Sequence, residues 1–351
     1  SGPHAGLPTL RPWLRIGRGA AIAMHGAGLG RGIPDPAGGR LTLAPDGRIE
    51  AAFGYEECGQ GLLATLEQML VEQLGVAVSD LRLIVGDTDL VPDSGSSTAS
   101  RATSMLYQTL RAIGPAFAAR LLERAGQALR RPAGELALGA GGIRLRTDPE
   151  GGSEEATEEA AGEPILSYGE LARMPGEAIR CEAALHYPVT PDRRTGAHYL
   201  YTYAAVAVRV EVDLRSGRVR VLGQHHVVAA GPVANPQGYL GQIEGGSGMA
   251  HGFALGEDAR MAGGVYAFSN FDGYLIPTIA DLSGETVVEA IEALPPGDLY
   301  GPRGVGEIGS VALAPAIAAA IHDATGIRVS RLPVEPELLQ RLDWLGKGER
   351  A

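Results

Sequence analysis

Residues 199–228, YLYTYAAVAVRVEVDLRSGRVRVLGQHHVV, alternate apolar and polar side chains on both sides of a Ser216-Gly217 turn. A period of two sustained over that length specifies a long two-stranded antiparallel hairpin with one face buried. The sheet that contains it therefore differs from the all-parallel sheet of a doubly wound fold. The pattern recurs in RLTLAPDGRIEAAFG (40–54), around a Pro-Asp-Gly turn. Between the hairpins the period changes. GLLATLEQMLVEQLG (61–75) places Leu62, Leu66, Met69, Leu70 and Leu74 on one helical face and stops at Gly75.

Further elements follow from the same reading. LRLIVGD (81–87) is a short strand, and a second helix runs from about Thr103 to Leu129. Gly114-Pro115 predicts an interruption there, because proline removes an internal hydrogen bond. A helix over 236–256 and a strand over 285–292 come next. The last helix, with Ile317, Ala320, Ile321 and Ala324 on its apolar face, starts no earlier than about Ala314, which puts Pro315 in its first turn and Gly326 beyond its end. Hairpins mixed with helices predict an α+β protein of two lobes with mixed and antiparallel sheets. The lobes are expected at 1–146 and 165–351, joined by TDPEGGSEEATEEAAGEP (147–164), an acidic stretch too poor in apolar groups to bury a core.

Composition narrows the function. The 351 residues carry a formal net charge of −11 and no basic stripe, so no nucleic-acid partner is expected. No run of eighteen apolar residues predicts a membrane span, and SGPHAGLPTL lacks the pattern of a signal peptide. The cytoplasm is the expected location, unless the chain is exported together with another polypeptide that carries a signal. Cys58 and Cys181 are the only thiols, which excludes a disulfide framework and a cysteine-based metal site. Glycine is abundant, at 51 residues, as expected where backbone lines a ligand.

Common enzyme motifs fail. HGAGLGRG (25–32) does not satisfy GxGxxG, and GGSGM (245–249) ends in Met where a nucleophile elbow needs Gly. His225 and His226 are neighbours on a strand, so they point to opposite faces and are poorly placed to share a metal.

Three Gly-rich segments remain, each beside a helix start: EECGQG (56–61), DTDLVPDSGSSTASRATS (87–104) and GQIEGGSGMAHG (241–252), where Gln242 is expected on a turn. Free backbone N–H groups at helix starts, with neutral amides and hydroxyls, suit an anionic ligand rich in heteroatoms. Taken singly, Gln60 and Gln242 read as surface or cap residues and the Ser/Thr loop as an ordinary turn. A fourth segment, GPRGVGEIGS (301–310), sets one carboxylate, Glu307, among glycines. It lies before the last helix, too far away to cap it. Its surroundings predict a desolvated carboxylate, a better base than one in water.

Together the ordered motifs GQG-x3-T-x2-Q, GDTD, TAS-x2-T, GQIEGG, GVGE and APAIAAAIHDATG resemble the C-terminal half of the molybdopterin-binding subunit of the xanthine dehydrogenase and aldehyde oxidase hydroxylases. The resemblance covers nearly the whole chain. It implies Glu307 as catalytic base, and Gln60 and Gln242 as amides contacting the pterin, with Gly61 and Gly306 beside these positions. It implies Thr98, Ala99, Ser100 and Thr103 as a loop passing close to the molybdenum cofactor, with no metal ligand supplied by this chain. Cys58 departs from the family pattern, and a buried inert thiol is expected there; HHVVAAGPVANP (225–236) departs as well. The implied cofactor is molybdenum-molybdopterin in its cytosine dinucleotide form. The implied partners are the N-terminal half of the subunit, absent here or a separate polypeptide, a 2Fe-2S iron-sulfur subunit and an FAD subunit. The substrate would be a purine-like heterocycle or an aldehyde. The alternatives are a non-catalytic binding or scaffold domain of the same fold and, less well supported, a cofactor-free hydrolase using a Ser-rich loop.

Overall fold

The computed structural model describes residues 11–146, 163–188, 194, 197–282 and 284–340. The chain opens with β1 (Leu14–Gly26) and the hairpin of β2 (Pro36–Leu43) and β3 (Ile49–Phe53). Helix α1 (Leu62–Leu74), β4 (Leu81–Ile84) and α2 (Ala102–Leu129) follow. A small antiparallel sheet of β5 (Leu136–Gly139), β6 (Gly142–Leu145) and β7 (Leu166–Ser167) leads to α3 (Tyr168–Arg173). Next come β8 (Arg180–His186) and the long hairpin of β9 (Tyr201–Asp213) and β10 (Val219–Ala229). After α4 (Pro236–Leu255) a short ladder joins β11 (Met261–Ala262) to β12 (Val265–Tyr266). Then come β13 (Glu285–Ile291), one helical turn α5 (Ile308–Val311), α6 (Leu313–Thr325) and α7 (Pro336–Leu339).

The two large sheets have the same construction. One runs β4-β3-β2-β8 and the other β13-β10-β9-β1. In each, an antiparallel hairpin is followed by a helix that crosses to a parallel neighbour: β3 to β4 over α1, and β10 to β13 over α4. In each, the remaining edge strand is antiparallel. That edge strand comes from the other half of the sequence. Residues 14–26 therefore pair in the second lobe, against the expectation that they belong to the first, and residues 180–186 pair in the first. Strand pairing over such distances leaves no local mark, so a boundary drawn from composition misses the exchange. Of the expected linker, 147–162 lie outside the described residues.

Burial follows the sequence periods. On β9, Val206, Val208, Val210 and Val212 are buried while the residues between them are exposed or half-buried, and the buried face packs on α4 and α6. The opposite face, with Ile22, Met24 and Tyr203, is open. Helix α1 buries Leu62, Leu66, Met69, Leu70 and Leu74, the face its period predicts, and ends at Gly75 with φ 72°. Each such side chain contributes on the order of 2 kcal/mol. Helix α2 is continuous through Pro115, contrary to the expected break. Pro115 lies on the exposed side of the helix, while Ile113, Gly114 and Phe117 keep the inner face seated. Helix α6 rests directly on β1: a Cβ at Gly17 would come within 2.0 Å of Ala320 O, and one at Gly19 within 2.3 Å of Ala316 O. The segment Ile308–Thr325 is long and apolar enough to cross a membrane, yet it is half buried against this sheet, which is the position of a core helix.

Candidate functional site

A cleft of about 490 Å³ opens where the connecting loops of the two lobes meet, and the candidate cofactor-binding and catalytic residues all line it. Gln60 and Gly61 come from the turn into α1, and Thr98, Ala99, Ser100 and Thr103 from the approach and first turn of α2. Gly306 and Glu307 come from the approach to α5. Gln242 lies inside α4, where a turn was expected. At Gly246 the helix packs closely on α5, where a Cβ would lie 3.0 Å from Ser310 N.

The Ser/Thr loop is shaped by a residue that no motif marks. Arg101 is fully buried, its Nε 2.5 Å from Asp35 Oδ1. Its Nη1 donates to Ser94 O at 2.8 Å and Ser96 O at 2.5 Å, and its Nη2 to Pro36 O. Asp35 Oδ2 in turn accepts from Leu29 N at 2.8 Å. One guanidinium thus ties the Gly-rich 25–32 segment and the Ser/Thr loop together. Held this way, Ala99 and Ser100 both adopt left-handed backbone, with φ 57° and 49°. Each costs about 1–2 kcal/mol, a strain that persists only where neighbours over-determine it.

That conformation delivers Ser100 to Glu307. Ser100 Oγ donates to Glu307 Oε2 at 2.6 Å and accepts from Glu307 N at 3.2 Å. Gly304 makes the approach possible, since a Cβ there would stand 2.0 Å from Ser100 O. Val305 and Ile308, both buried, root the loop in a small core with Val228 and Ile243. Glu307 lies too far away to cap α6, whose N-cap is Ala312, as expected; it occupies instead the N-cap position of the single turn α5, which no sequence pattern announces, and its side chain makes no capping bond. A residue outside the motifs completes the group: His25, at the end of β1, places Nε2 3.5 Å from Glu307 Oε2. The carboxylate is 48% exposed, not enclosed in the expected dry pocket, because the cleft is open on its far side.

Near α1 the free amides expected for a ligand are already used. Glu57 accepts from Gly59 N at 2.7 Å, Gly61 N at 3.1 Å and Leu63 N at 3.0 Å. Partial burial pushes its carboxyl up, but these backbone donors outweigh it and hold Glu57 below the usual range. Gln60 is folded against its own turn, Oε1 accepting from Cys58 N at 2.7 Å and Nε2 donating to Glu56 O at 2.8 Å. Gln242 Nε2 reaches Gln60 O at 3.4 Å, joining the lobes. Cys58 is exposed on the cleft wall, which corrects the expectation of a buried thiol. Arg303 also lines the cleft, with Nη1 on Tyr201 O at 2.7 Å and Nη2 paired with Asp298, so its charge is internally matched. Elsewhere, His225 and His226 do face opposite ways. His225 pairs with Glu289 at 2.9 Å, while buried His226 bonds Ser247 Oγ at 3.1 Å.

These residues fit a pterin-type cofactor that brings its own metal ligands. Among the described residues no three His, Cys, Asp or Glu side chains are grouped to hold a metal ion. The wall instead offers neutral amides and hydroxyls. At Gly61, with φ 80°, the space a side chain would take is open, so a ligand can approach the backbone.

The family model described as the molybdopterin cofactor-binding domain matches residues 5–283. A probable xanthine dehydrogenase subunit of Bacillus subtilis (strain 168) is 47% identical over 335 residues, 95% of this chain and 43% of that protein. A putative xanthine dehydrogenase molybdenum-binding subunit of Escherichia coli (strain K12) is 30% identical, over 86% of this chain and 39% of its own length. The crystal structure of the aldehyde oxidoreductase from Desulfovibrio desulfuricans shares the fold with a TM-score of 0.71 at 23% identity, covering 94% of this chain and 32% of that one. The chain thus spans less than half the length of these relatives. Sequence, fold and cleft agree, and the chain belongs to the molybdopterin cofactor-binding domain family of the xanthine dehydrogenase and aldehyde oxidoreductase type of molybdenum hydroxylase.

Proposed function

We propose that this chain is the cofactor-holding half of a hydroxylase that oxidises a purine-like heterocycle or an aldehyde, with water as the source of oxygen and Glu307 as proton acceptor. The observation that carries this reading is the convergence of Glu307, Ser100, Gln60 and Gln242 on one cleft, from loops of both lobes. Gln60 and Gln242 would hold the pterin through their remaining amide groups, with Gly61 and Gly306 allowing close approach and Thr98, Ala99 and Thr103 flanking it. Bound there, the molybdenum cofactor supplies a two-electron acceptor. Glu307 takes up the proton released as the substrate carbon is hydroxylated. Ser100 holds the carboxylate in place between turnovers.

The open side of the cleft and the exposed face of Ile22, Met24 and Tyr203 support a further polypeptide closing the site, the N-terminal half of the subunit. Electrons would leave through 2Fe-2S and FAD subunits, and the cofactor would be the cytosine dinucleotide form. In the assembled complex, Glu307→Gln is expected to lose several orders of magnitude in kcat with molybdenum content unchanged. Turnover near that of the natural protein would remove Glu307 from the mechanism.

A further inference from the structure

The face of β1 that carries Gly17, Gly19, Ala21 and Ala23 lies under α6 and the core, and His25 continues that face to meet α5. Packing alone would be served by another small or apolar residue. The other ring nitrogen makes the difference: among the described residues, His25 Nδ1 is buried without a hydrogen-bond partner. By contrast, His198 sets its Nδ1 2.8 Å from Gly28 O and stacks edge-on against Tyr201. Buried His226 also leaves Nδ1 without a partner but is held through Nε2 by Ser247 Oγ at 3.1 Å. The polar contact of His25 is made by Nε2, 3.5 Å from Glu307 Oε2, a few tenths of an ångström longer than a formed hydrogen bond. Ser100 Oγ reaches the same oxygen at 2.6 Å.

We infer that His25 is a positioning residue for Glu307, holding Oε2 jointly with Ser100 so that Oε1 is left to take up the proton. The inference rests on the proposed role of Glu307 and deepens it. The ring serves this purpose as the neutral tautomer with its proton on Nε2, since an imidazolium would bury a second, unpaired N–H. Two contacts on one oxygen fix the plane of the carboxylate, which a single hydroxyl leaves free to turn. Because the anchors come from β1 and from the loop before α2, the orientation of Glu307 depends on both lobes being docked.

Two measurements test this. In the full protein labelled with 15N-histidine, with the His25 signal identified by its loss in His25→Gln, the ring is expected as the Nε2–H tautomer. Its nitrogen shifts should move in Glu307→Ala. Identical ring shifts with and without the Glu307 carboxylate would overturn the contact, whatever the activity shows. In the cofactor-loaded complex assayed with xanthine or an aldehyde, His25→Phe is expected to lose about tenfold in kcat with little change in KM. His25→Gln, whose amide can still donate to Oε2, should recover most of that loss. Equal rates for His25→Phe and the natural protein, or no recovery in a folded His25→Gln, would overturn the positioning role.

Discussion

The hydroxyl of Ser100 donates to Oε2 of Glu307 at 2.6 Å across 207 residues of sequence. The two residues occupy corresponding places in the matched lobes, each in the loop that returns from the parallel edge strand to the next helix. The site is thus built where two equivalent connections touch. Removing a hydrogen bond to a charged group costs roughly 1.5 kcal/mol or more, about tenfold in rate. Ser100→Ala is therefore expected to lower kcat about tenfold while leaving the thermal midpoint nearly unchanged, as steady-state kinetics and calorimetry would show.

Arg101 predicts the opposite balance. Its guanidinium is fully buried and paired with Asp35, so Arg101→Ala leaves an uncompensated buried carboxylate. A loss of about 3–5 kcal/mol is expected, read as a fall in the denaturant midpoint. Molybdenum content should fall with it, because the Ser/Thr loop loses its anchor.

Gly19 tests the seat of α6. A Cβ there meets Ala316 O at 2.3 Å, and backbone cannot yield as a side-chain tip can. Gly19→Ala is expected to destabilise by about 2 kcal/mol in chemical denaturation, whereas Ala at neighbouring exposed positions of β1 should be close to neutral.

His226 predicts a pH dependence. Burial first, and the neighbouring His225 charge second, push its imidazole down from 6.5 to about 4. The unfolded chain binds that proton at the higher value, so stability is unaffected above about pH 6.5 and falls as pH is lowered towards 4. The loss attributable to this residue is on the order of 2–3 kcal/mol. His226→Gln should flatten the decline across that window in unfolding curves measured at several pH values.

Much of the fold was legible because it is written locally. The alternation in 199–228 and the spacing of Leu62, Leu66 and Leu70 each reflect a period that backbone geometry imposes on a half-buried element. The cleft was legible because its backbone-lining residues recur in ordered motifs. What stayed hidden depends on pairing at a distance. Nothing near Arg101 announces Asp35, nothing in β8 names β2 as its neighbour, and His25 sits in an unremarked strand. Pro115 leaves α2 unbroken because it faces outward, and which side of a helix faces outward is set by tertiary packing rather than by the local sequence. The exposure of Cys58 is likewise a property of the assembled loops.

The exchange of edge strands has a wider consequence. Neither half of the sequence contains a complete four-stranded sheet, since β1 completes the β9–β10–β13 sheet and β8 the β2–β3–β4 sheet. Two polypeptides made by opening the chain between α2 and β8 would be complementary pieces, each carrying the edge its mate lacks. Mutual rescue, with neither fragment self-sufficient, is the behaviour this topology dictates.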